Sequence, residues 1–175
     1  EGRIEISKED AQKTNHYKLS FDDKNRIILV EYRYGTDLID RTRAGILDGL
    51  KGLASKTSIK YEGNKEIRTF FNDKNEQSEN PMHVYKEVYE LNSDGKRTSL
   101  KHYGKNGKAT NNTWHIHEYM WETFNDRSIL EKRKDRHGKY VTMRPYYKFM
   151  TAKYTFQENG LLTSMIHVDD LGNII

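Results

Sequence analysis

The 175-residue chain contains no cysteine, which excludes a disulfide framework, a thiolate metal site and a cysteine nucleophile. It also lacks a long apolar run. Ile27-Ile28-Leu29-Val30 is among the longest, far short of the roughly 18 residues that a membrane-spanning helix needs. Aliphatic side chains are scarce: Leu, Ile, Val and Phe number 12, 13, 5 and 6, hydrophobic residues make up 34%, and mean hydropathy is −1.00. That composition lies close to the level at which chains stay disordered. Two features oppose disorder. The net charge is only +4, and 12 Tyr supply amphipathic bulk that disordered segments lack. A single folded domain over residues 1–175 is expected, burying about 70% of the unfolded chain's surface, with Tyr and Trp supplementing a thin aliphatic core.

The turn chemistry recurs. "GKRTSLKHYGKNG" (95–107) and "GLLTSMIHVDDLG" (160–172) each place glycines twelve positions apart and carry Thr-Ser, an apolar residue and His at the same offsets. "DRSILEKRKDRHG" (126–138) fits the same frame with Asp126 first, and "GNKEIRTFFNDKN" (63–75) fits with Asn75 last. "FDDKNRIILVEYRYG" (21–35) follows the plan with a shorter arm. Aromatic stretches such as "VYEL" (88–91), "MWETF" (120–124) and "YTF" (154–156) precede Asp-Gly, Asn-Asp or Asn-Gly, which are strong hairpin signals. About seven β-prone residues follow each turn, then a second turn, then another extended stretch, long in 139–156. The expected fold is therefore all-β, an antiparallel meander of about five hairpin-like units, with Gly95, Gly107, Gly138, Gly160 and Gly172 in turns.

The segments "YTFQENGLLTSMIHVDDLGN" (154–173) and "YELNSDGKRTSLKHYGKNGK" (89–108) resemble bacterial tyrosine–aspartate (YD, Rhs-like) repeats, with a Tyr-rich strand, an acidic turn and a second turn glycine. The likeness covers about the last half of the chain and departs in its longer, uneven period and the lack of a strict Tyr-Asp pair. It implies a β-hairpin repeat in a bacterial envelope or secreted protein and implies no catalytic residues. The chain begins Glu1-Gly2 rather than with Met, as chains do once a signal peptide or lipoprotein leader is removed. An extracytoplasmic location (periplasmic, lipid-anchored or secreted) is expected on these grounds.

One segment departs from the β pattern. "TDLIDRTRAGILDGLKGLASKTS" (36–57) spaces Ile39, Ile46, Leu47, Leu50, Leu53 and Ala54 as one face of a helix, so a helical insertion at about 37–54 is expected against the sheet. Gly45, Gly49 and Gly52 weaken it by roughly 1 kcal/mol each.

For chemistry, "WHIHEYMWE" (114–122) is the strongest string. On a regular strand His115 and His117 face the same way, and H-x-H-x₄-E with Glu122 resembles the first metal motif of cupins. That resemblance stops there: no second motif follows, and Glu122 falls on the opposite face. His102, His137 or His167 would have to complete a site. Exposed strand histidines are far commoner than metal pairs, so no metal and no cofactor are expected; a metal-dependent enzyme using His115 and His117 is the alternative. No G-x-S-x-G and no Gly-rich phosphate loop occur. "EKRKDRHGK" (131–139) is the most basic run and offers a nucleic-acid reading, but Glu131 and Asp135 interrupt it, and lysines also protect strand edges. Trp114, Tyr119, Trp121, Tyr146 and Tyr147 are the candidate ligand contacts, aromatics placed to stack on a sugar or pack against a protein. The reading as a whole is a non-enzymatic binding or structural module.

Overall fold

The computed structural model describes residues 7–40, 54–142, 149–169 and 171–175. A short helix α1 (Lys8–Ala11) leads into β1 (Asn15–Phe21), β2 (Ile27–Tyr34), β3 (Asp37–Leu38), β4 (Lys56–Glu62), β5 (Lys65–Phe71), β6 (Lys86–Leu91), β7 (Arg97–Tyr103), β8 (Glu118–Asn125), β9 (Ser128–Lys134), β10 (Thr151–Phe156) and β11 (Leu162–Val168). They form one 11-stranded sheet in the order β1-β2-β4-β5-β6-β7-β8-β9-β10-β11, with β3 folded back on β2. Every pairing is antiparallel. This is the all-β meander that the turn spacing predicts. No helix among the described residues is long and apolar enough to cross a membrane.

One local device builds most of the connections. At Asp22, Asn72, Asn80, Asn92, Gly104, Asn112, Asp135, Gln157 and Asp169 the backbone N–H donates to the carbonyl four residues on, and the fourth residue's N–H donates back. That fourth residue always has a positive φ: Asn25, Asn75, His83, Gly95, Gly107, His115, Gly138, Gly160 and Gly172, from 58° to 86°. This is a three-residue hairpin loop closed by a left-handed bulge. In seven of these turns the first residue is Asp or Asn, whose Oδ1 accepts the backbone N–H groups two and four residues on at 2.8–3.2 Å. Two of the donors a turn would otherwise leave unpaired are thereby satisfied. The expected turn glycines Gly95, Gly107, Gly138, Gly160 and Gly172 all hold this fourth position.

Between β5 and β6, and again between β7 and β8, two such turns follow one another, and the connection folds back over one end of the sheet. The carbonyls of Tyr32, Phe70, His102 and Arg133 accept the N–H groups of Ile39, Ser78, Thr110 and Val141 at 3.0–3.1 Å, so four different side chains occupy one structural position. All four are buried. Val84 and Ile116, which close the second turns, are 0% exposed. Burying each contributes about 2–3 kcal/mol, so the connections supply the second layer that an open sheet lacks.

One expectation changes. The helix expected over about 37–54 does not begin there: Asp37 and Leu38 form β3, paired with Tyr34 and Arg33. Gly35, at φ 61°, turns the chain straight back onto β2, which local helical spacing cannot foresee. Residues 41–53 lie outside the described residues. Of the extended stretch expected over 139–156, β10 covers Thr151–Phe156, and residues 143–148 lie outside the described residues. Tyr140 makes just an isolated bridge to Lys134.

Replacing Asn112 by Ala strands two backbone N–H groups, one of them the buried Ile116 N–H, and should cost about 2–4 kcal/mol. Asn72→Ala removes the same side-chain bonds at an exposed turn and should cost below about 1 kcal/mol. Urea unfolding of the two variants measures the difference.

Candidate functional site

Directly opposed residues in an antiparallel pair share a face, so the registers sort the side chains. Leu100 opposes Tyr119, Tyr119 opposes Arg133, and Trp121 opposes Glu131, which in turn opposes Ala152. One face across β7 to β10 therefore collects Tyr119, Trp121, Glu131, Arg133 and Tyr154. The rings of Tyr119 and Trp121 lie nearly parallel, with centroids 6.2 Å apart and planes at 15°. Both are partly exposed.

The shelf is fixed at its rims. The Trp121 Nε1–H donates to Glu131 Oε2 at 2.6 Å. Glu131 Oε1 accepts from Arg133 Nη2 and from the Tyr154 hydroxyl. At the other ring, Asn112 Nδ2 donates to the Tyr119 hydroxyl at 3.1 Å and to His102 Nε2 at 3.3 Å. Asn112 Oδ1 is already occupied by the Trp114 and Ile116 N–H groups, which fixes its amide orientation. His102 must then keep its proton on Nδ1, which is buried without a partner. Arg133 is 0% exposed, and its Nε and Nη1 also lack partners. Burial pushes the Tyr119 hydroxyl up to about 12. Burial raises the Tyr154 hydroxyl too, helped by the Glu131 carboxylate. Burial, with the neighbouring His117, lowers His102 to about 4.

The predicted site residues separate. Tyr119 and Trp121 come together as the shelf. Trp114 sits in the turn opened by Asn112, 41% exposed. Tyr146 and Tyr147 lie outside the described residues. His115 is not on a strand: it takes the left-handed fourth position of that same turn, at φ 61°. His117 precedes β8, and its Nδ1 bonds the Thr110 carbonyl oxygen at 3.1 Å. The shared strand face that a His115–His117 metal pair requires is therefore absent, because the turn ends one residue after His115. Glu122 opposes Leu130 on the other face of the sheet. Among the described residues no group of three or more His, Cys, Asp or Glu is placed to hold a metal ion. Segment 131–139 does not form a basic stripe. Glu131 and Arg133 are buried on the shelf face, Lys132 and Lys134 alternate to the opposite face, and Asp135 opens a turn.

A second polar cluster continues the shelf face. Glu66 accepts from Arg68 Nε at 2.7 Å and from Arg97 Nη2 at 2.9 and 3.0 Å. The Arg68 and Arg97 guanidinium groups stand 4.8 and 4.3 Å from the Tyr89 ring centroid, and the Tyr89 hydroxyl donates to Glu87 at 3.1 Å. Burial raises the Glu87 carboxyl. Sequence reasoning missed these ionic partners, although Glu31-x-Arg33, Glu66-x-Arg68 and Glu131-x-Arg133 carry the signal: on a strand, i and i+2 share a face. An open depression of about 380 Å³ lies elsewhere, lined by Gly104, Lys105, Asn106, Lys108, Ala109, Thr110 and Arg136.

Each ring of the shelf is held by a hydrogen bond at its polar edge. His102 is 2% exposed and its one acceptor nitrogen is engaged, so it has no lone pair to offer a substrate. No family model, curated protein or solved structure matches this chain.

Two outcomes follow from this geometry. His115→Gly relieves a left-handed L-residue costing about 1–2 kcal/mol, offset by glycine's entropy, and should stabilise the fold by up to about 1 kcal/mol in urea unfolding. His102 titrates near 4 when folded against about 6.5 unfolded, so the unfolded chain binds its proton first. Its contribution is complete above about pH 6.5 and falls as the pH drops towards 4. Wild type should therefore lose about 2–3 kcal/mol more than His102→Phe between pH 7 and 4.5. Phe is the residue that the equivalent position holds at Phe70.

Proposed function

We propose that this chain is a non-enzymatic binding or structural module of the bacterial cell envelope, presenting its Tyr/Trp face to a protein or carbohydrate partner. The observation that carries the reading is the Tyr119–Trp121 stack. Its two partly exposed rings are locked by hydrogen bonds at both rims before any partner arrives. A surface ordered in advance loses little entropy on binding. Parallel rings with apolar faces and wet edges suit the apolar face of a sugar ring or a flat side chain of a protein. The likeness of 154–173 and 89–108 to tyrosine–aspartate repeats supports the envelope setting.

The test is co-sedimentation with purified bacterial sacculi and with intact envelope protein fractions. Wild type should bind one of them, and Trp121→Ala should weaken that binding by roughly thirtyfold, about 2 kcal/mol, the loss typical of an aromatic hot spot. Unfolding curves confirm that the variant is folded. Wild-type binding that Trp121→Ala and Tyr119→Ala leave unchanged, or no binding to either fraction, would contradict the proposal.

A further inference from the structure

Among the described residues the two ends of the strand order are edges of opposite kind, neither paired with a further strand. β2, β5, β7 and β9 each close one hairpin and pair onward with β4, β6, β8 and β10, the opening strands of the next. Among the described residues β11 closes the last hairpin and its one strand partner is β10, while β1 opens the first and its one strand partner is β2. The single bridge of Val168 to Ile174 at the end of β11 matches those of Phe71, Tyr103 and Lys134 at the ends of β5, β7 and β9, which still pair onward. The outer edge of β11 is thus of the kind that receives an opening strand, and the outer edge of β1 is of the kind that supplies one.

The sequence of β11 sharpens this. Exposed edges are usually blunted with charge, lysine above all. "LTSMIHV" is the one described strand with no Lys, Arg, Asp or Glu, and it stands at an edge. Leu161, Leu162 and Met165 are 62%, 54% and 43% exposed there. At the other edge β1 exposes Leu19 and Phe21 and carries a single charge, Lys18.

We propose that a second copy of this chain docks head to tail, its β1 adding to the free edge of β11. The internal joins supply the register. The residue four before each closing turn, Arg68, Leu100 or Glu131, opposes Glu87, Tyr119 or Ala152 of the next strand. Met165 is four before the turn at Asp169. Glu87 and Ala152 lie five before the turns at Asn92 and Gln157, and Tyr17 lies five before the turn at Asp22. Met165 therefore opposes Tyr17 of the added copy, a favourable sulfur–aromatic pair. Thr163 opposes Leu19, and Ser164 opposes Lys18, so the join meets no like charge. Because the two edges differ, the contact is heterologous and each added copy leaves a fresh β11 edge, which yields open chains of molecules.

The absence of native cysteine allows a clean test. Tyr17→Cys and Met165→Cys proteins, mixed at equal concentration under a mild oxidant, should form a disulfide-linked heterodimer at least tenfold faster than either protein alone forms a homodimer. Lys18→Cys with Ser164→Cys repeats the test on the other face should Tyr17→Cys fold poorly. Wild-type mean mass in sedimentation equilibrium should rise with concentration. Ser164→Lys, which puts two ammonium groups on opposed positions, should cut that association by tenfold or more with its circular dichroism unchanged. Two results would overturn the proposal. One is a wild type that stays monomeric with no mixed cross-link at either cysteine pair. The other is Met165→Cys alone cross-linking as fast as the mixture, which would make the contact symmetric.

Discussion

The structure depends on one short-range constraint, the capture of two backbone N–H groups by a single side-chain oxygen at the start of a tight turn. A β-meander must reverse direction at every strand, and each reversal strands donors that the ladder cannot reach. Asn or Asp at the first position supplies the acceptor, and a left-handed fourth residue aims the chain into the returning strand. Where the first residue is Gly104 or Gln157, Asn106 or Asn159 at the third position supplies its own Oδ1 to the fifth-position N–H instead.

That constraint also builds the candidate site. At exposed turns the Asx side chain serves the backbone and, at Asp22, Asn72 and Asp169, a side chain within the same turn. In the turns folded over the sheet the same side chain is buried, and its Nδ2 reaches down to the strand beneath. Asn80 Nδ2 donates to Glu87, and Asn112 Nδ2 to both His102 and Tyr119. Asn112 thereby uses every hydrogen-bonding group on its amide, two as acceptor and two as donor. The orientation of the Tyr119–Trp121 shelf is thus coupled to the turn above it. The ionic pairs beside the shelf add specificity of register more than stability, since burying Glu131 and Arg133 carries a desolvation cost that their attraction only partly offsets.

The fold class and turns were legible because they rest on local chemistry: Asp-Gly, Asn-Gly and D-x-x-G demand a bend wherever they occur. The aromatic strands around Val88, Trp121 and Tyr154 were legible for the same reason. His115 was not. Alternation reads "WHIHEY" as strand, and only the equivalence of Asn112–Ile116 with Asn80–Val84 reveals the turn, with His83 and His115 in a position glycine or asparagine fills elsewhere. The start of the expected helix failed similarly, because Gly35 and the pairing of Asp37 with Tyr34 outrank helical spacing. The ion pairs needed a three-dimensional face before their spacing acquired meaning. Glu131-x-Arg133 signals the ion pair, but nothing local signals that Arg133 takes the buried position held by Tyr32, Phe70 and His102.

The buried Asx turns, more than the strand ladders alone, hold this single sheet and its aromatic shelf together. Residue-resolved amide hydrogen exchange tests it most directly, at the fifth-position N–H groups of Val84 and Ile116 against the exposed-turn counterparts Glu76 and Lys96. Val84 and Ile116 should exchange only through global unfolding, while Glu76 and Lys96 exchange by local opening. Val84 and Ile116 amides exchanging as fast as those at the exposed turns would contradict it.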